Sequence, residues 1–295
     1  MEYLNEKLFE SKVSRIGFGC AAISGYDYGH INEEEVIKSI RFSWEKGVTL
    51  FDTSDVYGFG YAEEVLSKAL GSERHKAIIT TKFGIKWDKD GRTYKDCSIQ
   101  NMVISLENSL RRLKLESIPI YMVHWHDEKT PINELMIQLK ECQKQGKIQY
   151  IGCSNFTDKM ILTAIENHKL DFIQLPHNLI YKKYEKQLYK SKEEDNINTI
   201  VYDVLARGLL TGKYNKKLNF GNNDTRNRDK YFNKHYYEIG LNMVKKLKIL
   251  SRKYNKTPGQ IAIKWSLQQS FINCVLVGCK NLAQTAENID MFNWK

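Results

Sequence analysis

Eight short apolar segments recur along the chain, each set off from the next by a stretch of helical character. They run from Ile16 to Gly19, Gly47 to Phe51, Ala77 to Thr81, Ile118 to His124, Ile148 to Cys153, Asp171 to Leu175, Thr199 to Tyr202 and Cys274 to Gly278. Each has the length and near-continuous hydrophobicity of a strand covered on both faces. Parallel neighbours need a crossover between them, and a helix supplies it. Eight such units are the number that closes a (β/α)8 TIM barrel, so residues 1–295 read as one α/β domain.

The intervening segments carry recognisable helix ends. Asn32 before Glu33, Glu34 and Glu35 predicts an N-cap with an acidic first turn, and Gly47 closes that helix. Ser98 opens another, with Met102, Val103, Leu106 and Leu110 on one face. Thr257-Pro258 starts a third that runs through Ile261, Ala262 and Trp265. An open doubly wound sheet is disfavoured. Gly17-Phe18-Gly19 continues as Cys20-Ala21-Ala22, with no third glycine where a dinucleotide fingerprint needs one. Two irregular insertions, Gly84 to Cys97 and Gly212 to Lys234, are expected on the rim where barrel strands end.

Composition narrows the function. The net charge of +10 comes from 45 basic and 35 acidic residues mixed along the whole chain. The densest basic stretches, Tyr181 to Lys192 and Lys213 to Lys234, carry no nucleic-acid motif, so no nucleic-acid partner is expected. A basic mouth that attracts a phosphorylated cofactor fits the same charge. No apolar run is long enough to span a bilayer and the N-terminus lacks a secretory pattern, so a cytoplasmic protein with no membrane partner is expected. The six cysteines have no metal-ligand spacing, which predicts free thiols and no metal.

In a barrel, reactive side chains belong just past the strands. Strand two ends in Phe51-Asp52-Thr53 with Tyr57 shortly after, strand three in Thr81-Lys82-Phe83, and strand four in Val123-His124-Trp125. Together Asp52, Tyr57, Lys82 and His124 form a consistent proton-transfer set. An ammonium close to a phenol favours the phenolate, so Lys82 is expected to lower the pKa of Tyr57. Asp52 would hold Lys82 charged and aimed, and His124 would donate to a substrate oxygen as charge develops there. Taken singly, each is as well explained as packing, a turn cap or a solvated lysine. Three successive strand ends make that explanation hard to keep.

These segments resemble the aldo-keto reductases. Phe51-Asp52-Thr53-Ser54-Asp55-Val56-Tyr57-Gly58 looks like the family's aspartate and tyrosine segment, Thr81-Lys82-Phe83-Gly84 its lysine strand, and Val123-His124-Trp125-His126-Asp127 its histidine strand. The resemblance extends from Ile16 to Asn288 and implies an NADP(H)-dependent oxidoreductase that binds its cofactor without a Rossmann domain. It implies that Ser154, Asn155 and Gln174 hold the nicotinamide carboxamide so that the pro-R hydride is delivered, and that His177 stands where a tyrosine stacks on the ring. The segment Val201 to Tyr214 resembles the pyrophosphate loop, with Leu205, Arg207, Gly208 and Lys213 as its contacts. Asp203-Val204 stand where Ser-Pro is common, and an acid beside a pyrophosphate is expected either to point away or to pair with Arg207. Arg226 lies in a segment similar to the one that closes over the cofactor. Gly278, Lys280, Gln284, Glu287 and Asn288 are similar to the adenosine site, where Lys280 is placed to meet a 2′-phosphate. NADP(H) is therefore preferred, with NAD(H) as the second candidate.

The expected reaction is reduction of an aldehyde or ketone, keto-sugars included, in a pocket walled by Tyr26, Tyr28, Phe83, Trp87 and Trp125. With few residues after Asn288, no long C-terminal loop is expected to cover that pocket. A nicotinamide-binding regulatory or scaffold subunit on the same barrel is the competing reading. The presence of all four catalytic residues weighs against it.

Overall fold

Runs such as Ile78-Ile79-Thr80-Thr81 and Ile118-Pro119-Ile120-Tyr121 are rich in β-branched and aromatic residues, which pack well on a pleated surface. In the computed structural model, which describes residues 1–4, 8–25, 31–214, 218, 220–221 and 224–292, they are strands. The strands are β1 (Ile16–Gly19), β2 (Leu50–Asp52), β3 (Ile78–Phe83), β4 (Ile85–Trp87), β5 (Thr93–Lys95), β6 (Ile118–Val123), β7 (Ile148–Ser154), β8 (Phe172–Pro176), β9 (Asn198–Tyr202) and β10 (Cys274–Gly278). Eight close into a parallel barrel in the order β1-β10-β9-β8-β7-β6-β3-β2. The expected (β/α)8 barrel is the observed fold. The pair β4 and β5, an antiparallel hairpin inside the first insertion, was not expected.

Helices α1 (Glu33–Glu45), α2 (Tyr61–Leu70), α3 (Ile99–Leu113), α4 (Ile132–Lys144), α5 (Asp158–Ile165), α6 (Glu185–Glu193), α7 (Lys234–Tyr254), α8 (Pro258–Leu267) and α9 (Leu282–Ile289) make the connections and the C-terminal segment. Their ends follow the capping residues. Asn32 accepts from the Glu35 amide, Ser98 from Asn101, and Thr257 forms a reciprocal capping box with Gln260. Gly47 takes φ 87° past the end of α1, and a Cβ there would stand 2.6 Å from the Tyr3 hydroxyl.

Because a strand's side chains alternate between faces, each barrel strand sends one parity class inward. Leu50, Ile78, Ile120, Met122, Phe172, Ile200, Cys274 and Leu276 form a cluster of their own, separate from the layer between strands and helices. Gly152 belongs to this inward class. A Cβ on it would lie 2.7 Å from Met122 Cγ, so the glycine makes room for a larger neighbour. Asp52, Lys82, His124, Ser154, Gln174 and Tyr202 share this parity and stand at or just past the C-terminal ends of the strands, above the apolar plug. All six cysteines are buried and free, as expected.

Leu50 is fully buried in the plug. We expect Leu50→Ala to lower the unfolding free energy by about 2–5 kcal/mol, because both transfer energy and a cavity are lost. Chemical denaturation followed by tryptophan fluorescence measures it. A change below about 1 kcal/mol means the plug collapses to fill the hole.

Candidate active site

Lys82 projects inward from β3 and is completely buried. Its ammonium donates to both oxygens of Asp52 at 2.8 Å each and to the carbonyl of Thr53 at 2.8 Å. An ammonium has three N–H bonds, and all three are used here. Asp52, at the end of β2, also accepts from the Gln174 amide across the barrel, 2.7 Å away. The charge is thus paired and fully hydrogen-bonded, the condition under which an ion pair survives burial.

Tyr57 leans over this pair. Lys82 Nζ lies 5.3 Å from the centre of the phenol ring, and His124 meets the ring edge-on at 5.6 Å. Burial, followed by the nearby Asp52 carboxylate, raises the tyrosine pKa well above 10. This reverses the expectation that Lys82 lowers it. The ammonium is neutralised by Asp52 and has no N–H left for the phenol, so desolvation decides the sign. Burial and the Lys82 charge push His124 well below the usual histidine range. Tyr57 is thus a protonated phenol and His124 a neutral imidazole, with Nδ1 3.1 Å from Ser54 Oγ.

Beside them, the ends of β7, β8 and β9 form a polar shelf. Ser154 donates to the Gln174 carbonyl at 3.0 Å. Asn155, held at φ 61°, donates to the His124 carbonyl and to Ser154 Oγ, both at 3.1 Å. Its Oδ1 accepts from the Tyr202 hydroxyl at 2.6 Å. Further along the rim, Lys213, Arg226 and Lys280 gather. Burial lowers the pKa of Lys213 and of Lys280, and the charge of Arg226 lowers both further. Arg226 is itself braced by Asp224 and by the Tyr214 hydroxyl, 2.6 Å from Nη1.

A sequence pattern described as "Aldo/keto reductase family" matches residues 15–295. The chain belongs to that family. It is 34% identical to the aldo-keto reductase YhdN of Bacillus subtilis (strain 168), over all of this chain and 89% of that one. It is 29% identical to the NADH-specific methylglyoxal reductase of Escherichia coli (strain K12), over 95% of this chain and 90% of that one. Among solved structures, glycerol dehydrogenase AKR11B4 of Gluconobacter oxydans superposes with a TM-score of 0.90 at 32% identity, covering 99% of this chain and 90% of that one. The aldo/keto reductase described here is an NAD(P)H-dependent carbonyl reductase, and among its described residues no helix is long and apolar enough to cross a membrane.

In this aldo/keto reductase the expected site residues come together in two places. Asp52, Tyr57, Lys82, His124, Ser154, Asn155 and Gln174 converge at the mouth. Lys213, Arg226 and Lys280 converge on the rim, near the left-handed turn at Gly208 (φ 87°) that follows Leu205. Of the two arrangements open to Asp203, pairing is the one observed: it lies 3.1 Å from Arg207 Nε, and Asp229 approaches the same guanidinium at 3.3 Å. Gly278 is exposed beside Lys280, whose amide donates to Gln284 Oε1. The Glu287 carbonyl accepts from Gln260, and the Asn288 amide is turned onto Cys279 Sγ at 3.2 Å.

Two residues lie elsewhere, for one reason. Gln174 points inward, so His177, three residues on, points outward. It is fully buried, stacked on Trp265 at 5.4 Å and edge-on to Phe271, away from the polar shelf. Lys82 points inward, so Phe83 points outward and stacks on Tyr121 at 5.1 Å instead of walling the pocket. Trp87 packs against Phe59 and Trp125 stands exposed with Lys95 over its ring, both beside the β4–β5 hairpin. Tyr26 and Tyr28 lie outside the described residues. Tyr202 was missed. Counting by twos from the plug residue Ile200 would have found it.

Lys82→Met leaves Asp52 buried without its cation. We expect a loss of about 3–5 kcal/mol in stability together with a collapse of turnover. The double variant Lys82→Met/Asp52→Leu should regain most of the stability and none of the activity. Parallel denaturation and rate measurements on both variants check this, and equal stability of the two would show that the buried charge is not what is being lost.

Proposed function

We propose that this aldo/keto reductase reduces aldehydes and ketones, keto-sugars among them, with NADP(H) preferred over NAD(H) and Tyr57 as the proton donor. The observation that carries the reading is the stack of the neutralised Lys82–Asp52 pair beneath a protonated Tyr57 and a neutral His124.

The residues fit a nicotinamide dinucleotide. A shelf of amide and hydroxyl groups suits a carboxamide, the Tyr202 ring beside it offers a flat apolar face, and three crowded cations suit phosphates. When bound, the cofactor supplies a hydride. Ser154, Asn155 and Gln174 would hold its ring in one orientation. Tyr57 gives its proton to the substrate oxygen as the carbonyl carbon is reduced. His124 donates a hydrogen bond to that oxygen through the one N–H of its neutral ring, without adding a positive charge beside the cofactor. Lys82 and Asp52 give the new tyrosinate a local dipole and a rigid floor. Exposed Trp125 and half-buried Trp87 supply apolar walls at the mouth for a small carbonyl compound.

The preference for NADP(H) rests on the rim. The name of the NADH-specific relative shows that membership of the family does not decide the nicotinamide. Lys280, Lys213 and Arg226 repel one another, and an added phosphate relieves that repulsion. A Cβ on Gly278 would meet only Ala22 Cβ and the Gly19 carbonyl at 3.6 Å. The protein's own packing does not demand a glycine there, which suits a backbone approached by a ligand.

Tyr57→Phe should lower the rate of NADPH-dependent aldehyde reduction at least about a hundredfold and leave cofactor affinity within about twofold. A variant that keeps more than about a tenth of the rate, an effect of at most ~1.4 kcal/mol, rules Tyr57 out as the donor. Lys280→Ala should weaken NADPH about ten- to a hundredfold and NADH only a few-fold, with the penalty shrinking as salt rises. Quenching of tryptophan fluorescence measures both dissociation constants. Equal weakening of the two cofactors removes Lys280 from the 2′-phosphate site.

A further inference from the structure

Behind His124 lies a line of buried polar groups that the reaction described above does not use. Ser54 Oγ sits 3.1 Å from His124 Nδ1 and 3.2 Å from Asp55 Oδ1, and all three residues are buried. A serine hydroxyl carries one hydrogen, so it donates to one of these neighbours and accepts from the other. With Asp55 ionised, Ser54 donates to it. Nδ1 then carries the imidazole proton, and Nε2 is bare. With Asp55 protonated, the direction reverses. Asp55 donates to Ser54, Ser54 donates to Nδ1, and the imidazole proton sits on Nε2.

The surroundings favour the protonated acid. Asp55 is 2% exposed, and among the described residues it forms no ion pair. A second buried carboxylate, Glu63 on α2, takes the Thr81 hydroxyl and Arg112 Nε of α3, each at 2.6 Å. Two buried acids therefore face one cation, and Arg112 is committed to Glu63. Ser105 on α3 hydrogen-bonds to Asp55, while Tyr121 on β6 faces both acids as a neutral phenol. On the far side of His124, Lys82 is balanced by Asp52. Burial, then the charge of Glu63, pushes the Asp55 carboxyl up to about 8.

We propose that Asp55, acting through Ser54, is a positioning residue that selects the Nε2–H tautomer of His124, the form able to donate to the substrate oxygen. The assignment rests on the reading of His124 as that donor. When Asp55 loses its proton to solvent, Ser54 turns to the carboxylate. Nδ1 then takes up a proton as Nε2 releases one, and the ring stays neutral throughout. The donor is lost although nothing but the Ser54 hydroxyl has turned.

The test is 15N spectroscopy of histidine-labelled protein, with His124→Asn used to assign one signal among the seven histidines. Wild type should show Nε2–H at about pH 6.5 and cross to Nδ1–H with a midpoint between about pH 7 and pH 9. In Asp55→Asn the side-chain N–H donates permanently to Ser54, so His124 should remain Nε2–H across the range. Ser54→Ala cuts the connection, and the crossover should vanish there as well. Over the same range, wild-type kcat should fall by at least about threefold while Asp55→Asn loses that alkaline decline. Nδ1–H in wild type at about pH 6.5, or a crossover retained in Asp55→Asn, overturns the proposal. If Asp55→Asn does not fold, a crossover retained in Ser54→Ala overturns it equally. The spectra need no turnover, so they remain readable even if Tyr57→Phe shows the proton-donor reading to be wrong.

Discussion

A single ammonium group inside the barrel organises the reactive end of this aldo/keto reductase. Lys82 is completely buried, so the fold must bring it a counter-charge and three acceptors. Meeting that demand draws Asp52 and the Thr53 carbonyl to within 2.8 Å. Asp52 then needs a further donor, which brings Gln174 across from β8. The backbone carbonyl of the same Gln174 accepts from Ser154, which is bonded in turn to Asn155, and Asn155 reaches the backbone of His124 and the hydroxyl of Tyr202. Side chains from β2, β3, β7, β8 and β9 are therefore tied to one another by the cost of leaving a charge unsatisfied, not only by the backbone ladder below them.

Much of this was legible in the chain before any coordinates. Eight apolar segments separated by helical ones are an arithmetic that few folds satisfy, and the reactive residues stood where those segments stop. What failed was parity. Phe83 and His177 lie next to residues that do face the mouth, and closeness in sequence suggested closeness in space. A strand reverses direction at every residue, so Phe83 beside Lys82 and His177 three beyond Gln174 must face the helices. The same rule names Tyr202. The polarity of Tyr57 failed differently, because the pairing of Lys82 with Asp52 was foreseen while its effect on the lysine's outward field was not.

The rim follows another logic. Lys213, Arg226 and Lys280 come from the segment after β9 and from the end of β10, and the cost of crowding them is partly offset by Asp224 on Arg226. Asp203, an acid where the family usually has serine, is accommodated by Arg207 and shares it with Asp229. Burial and the second acid raise Asp203 to about 7, so its charge near neutrality is a balance, not a given. These substitutions were visible one at a time. Their mutual compensation is a property of the folded loop, in which Asp203, Ala206 and Arg207 all take positive φ.

The hairpin of β4 and β5 pairs only with itself, outside the hydrogen-bonded ring of the barrel. It carries Trp87, packs beside Trp125 through Lys95, and contributes nothing to the plug or to the Lys82 network. The surface we propose a substrate meets first is thus held apart from the residues we propose handle its proton. Such a separation lets the hairpin accept new side chains, lengths or turns as an exchangeable part, and a lineage built on this scaffold can explore new carbonyl compounds without reopening the problem of the buried charge.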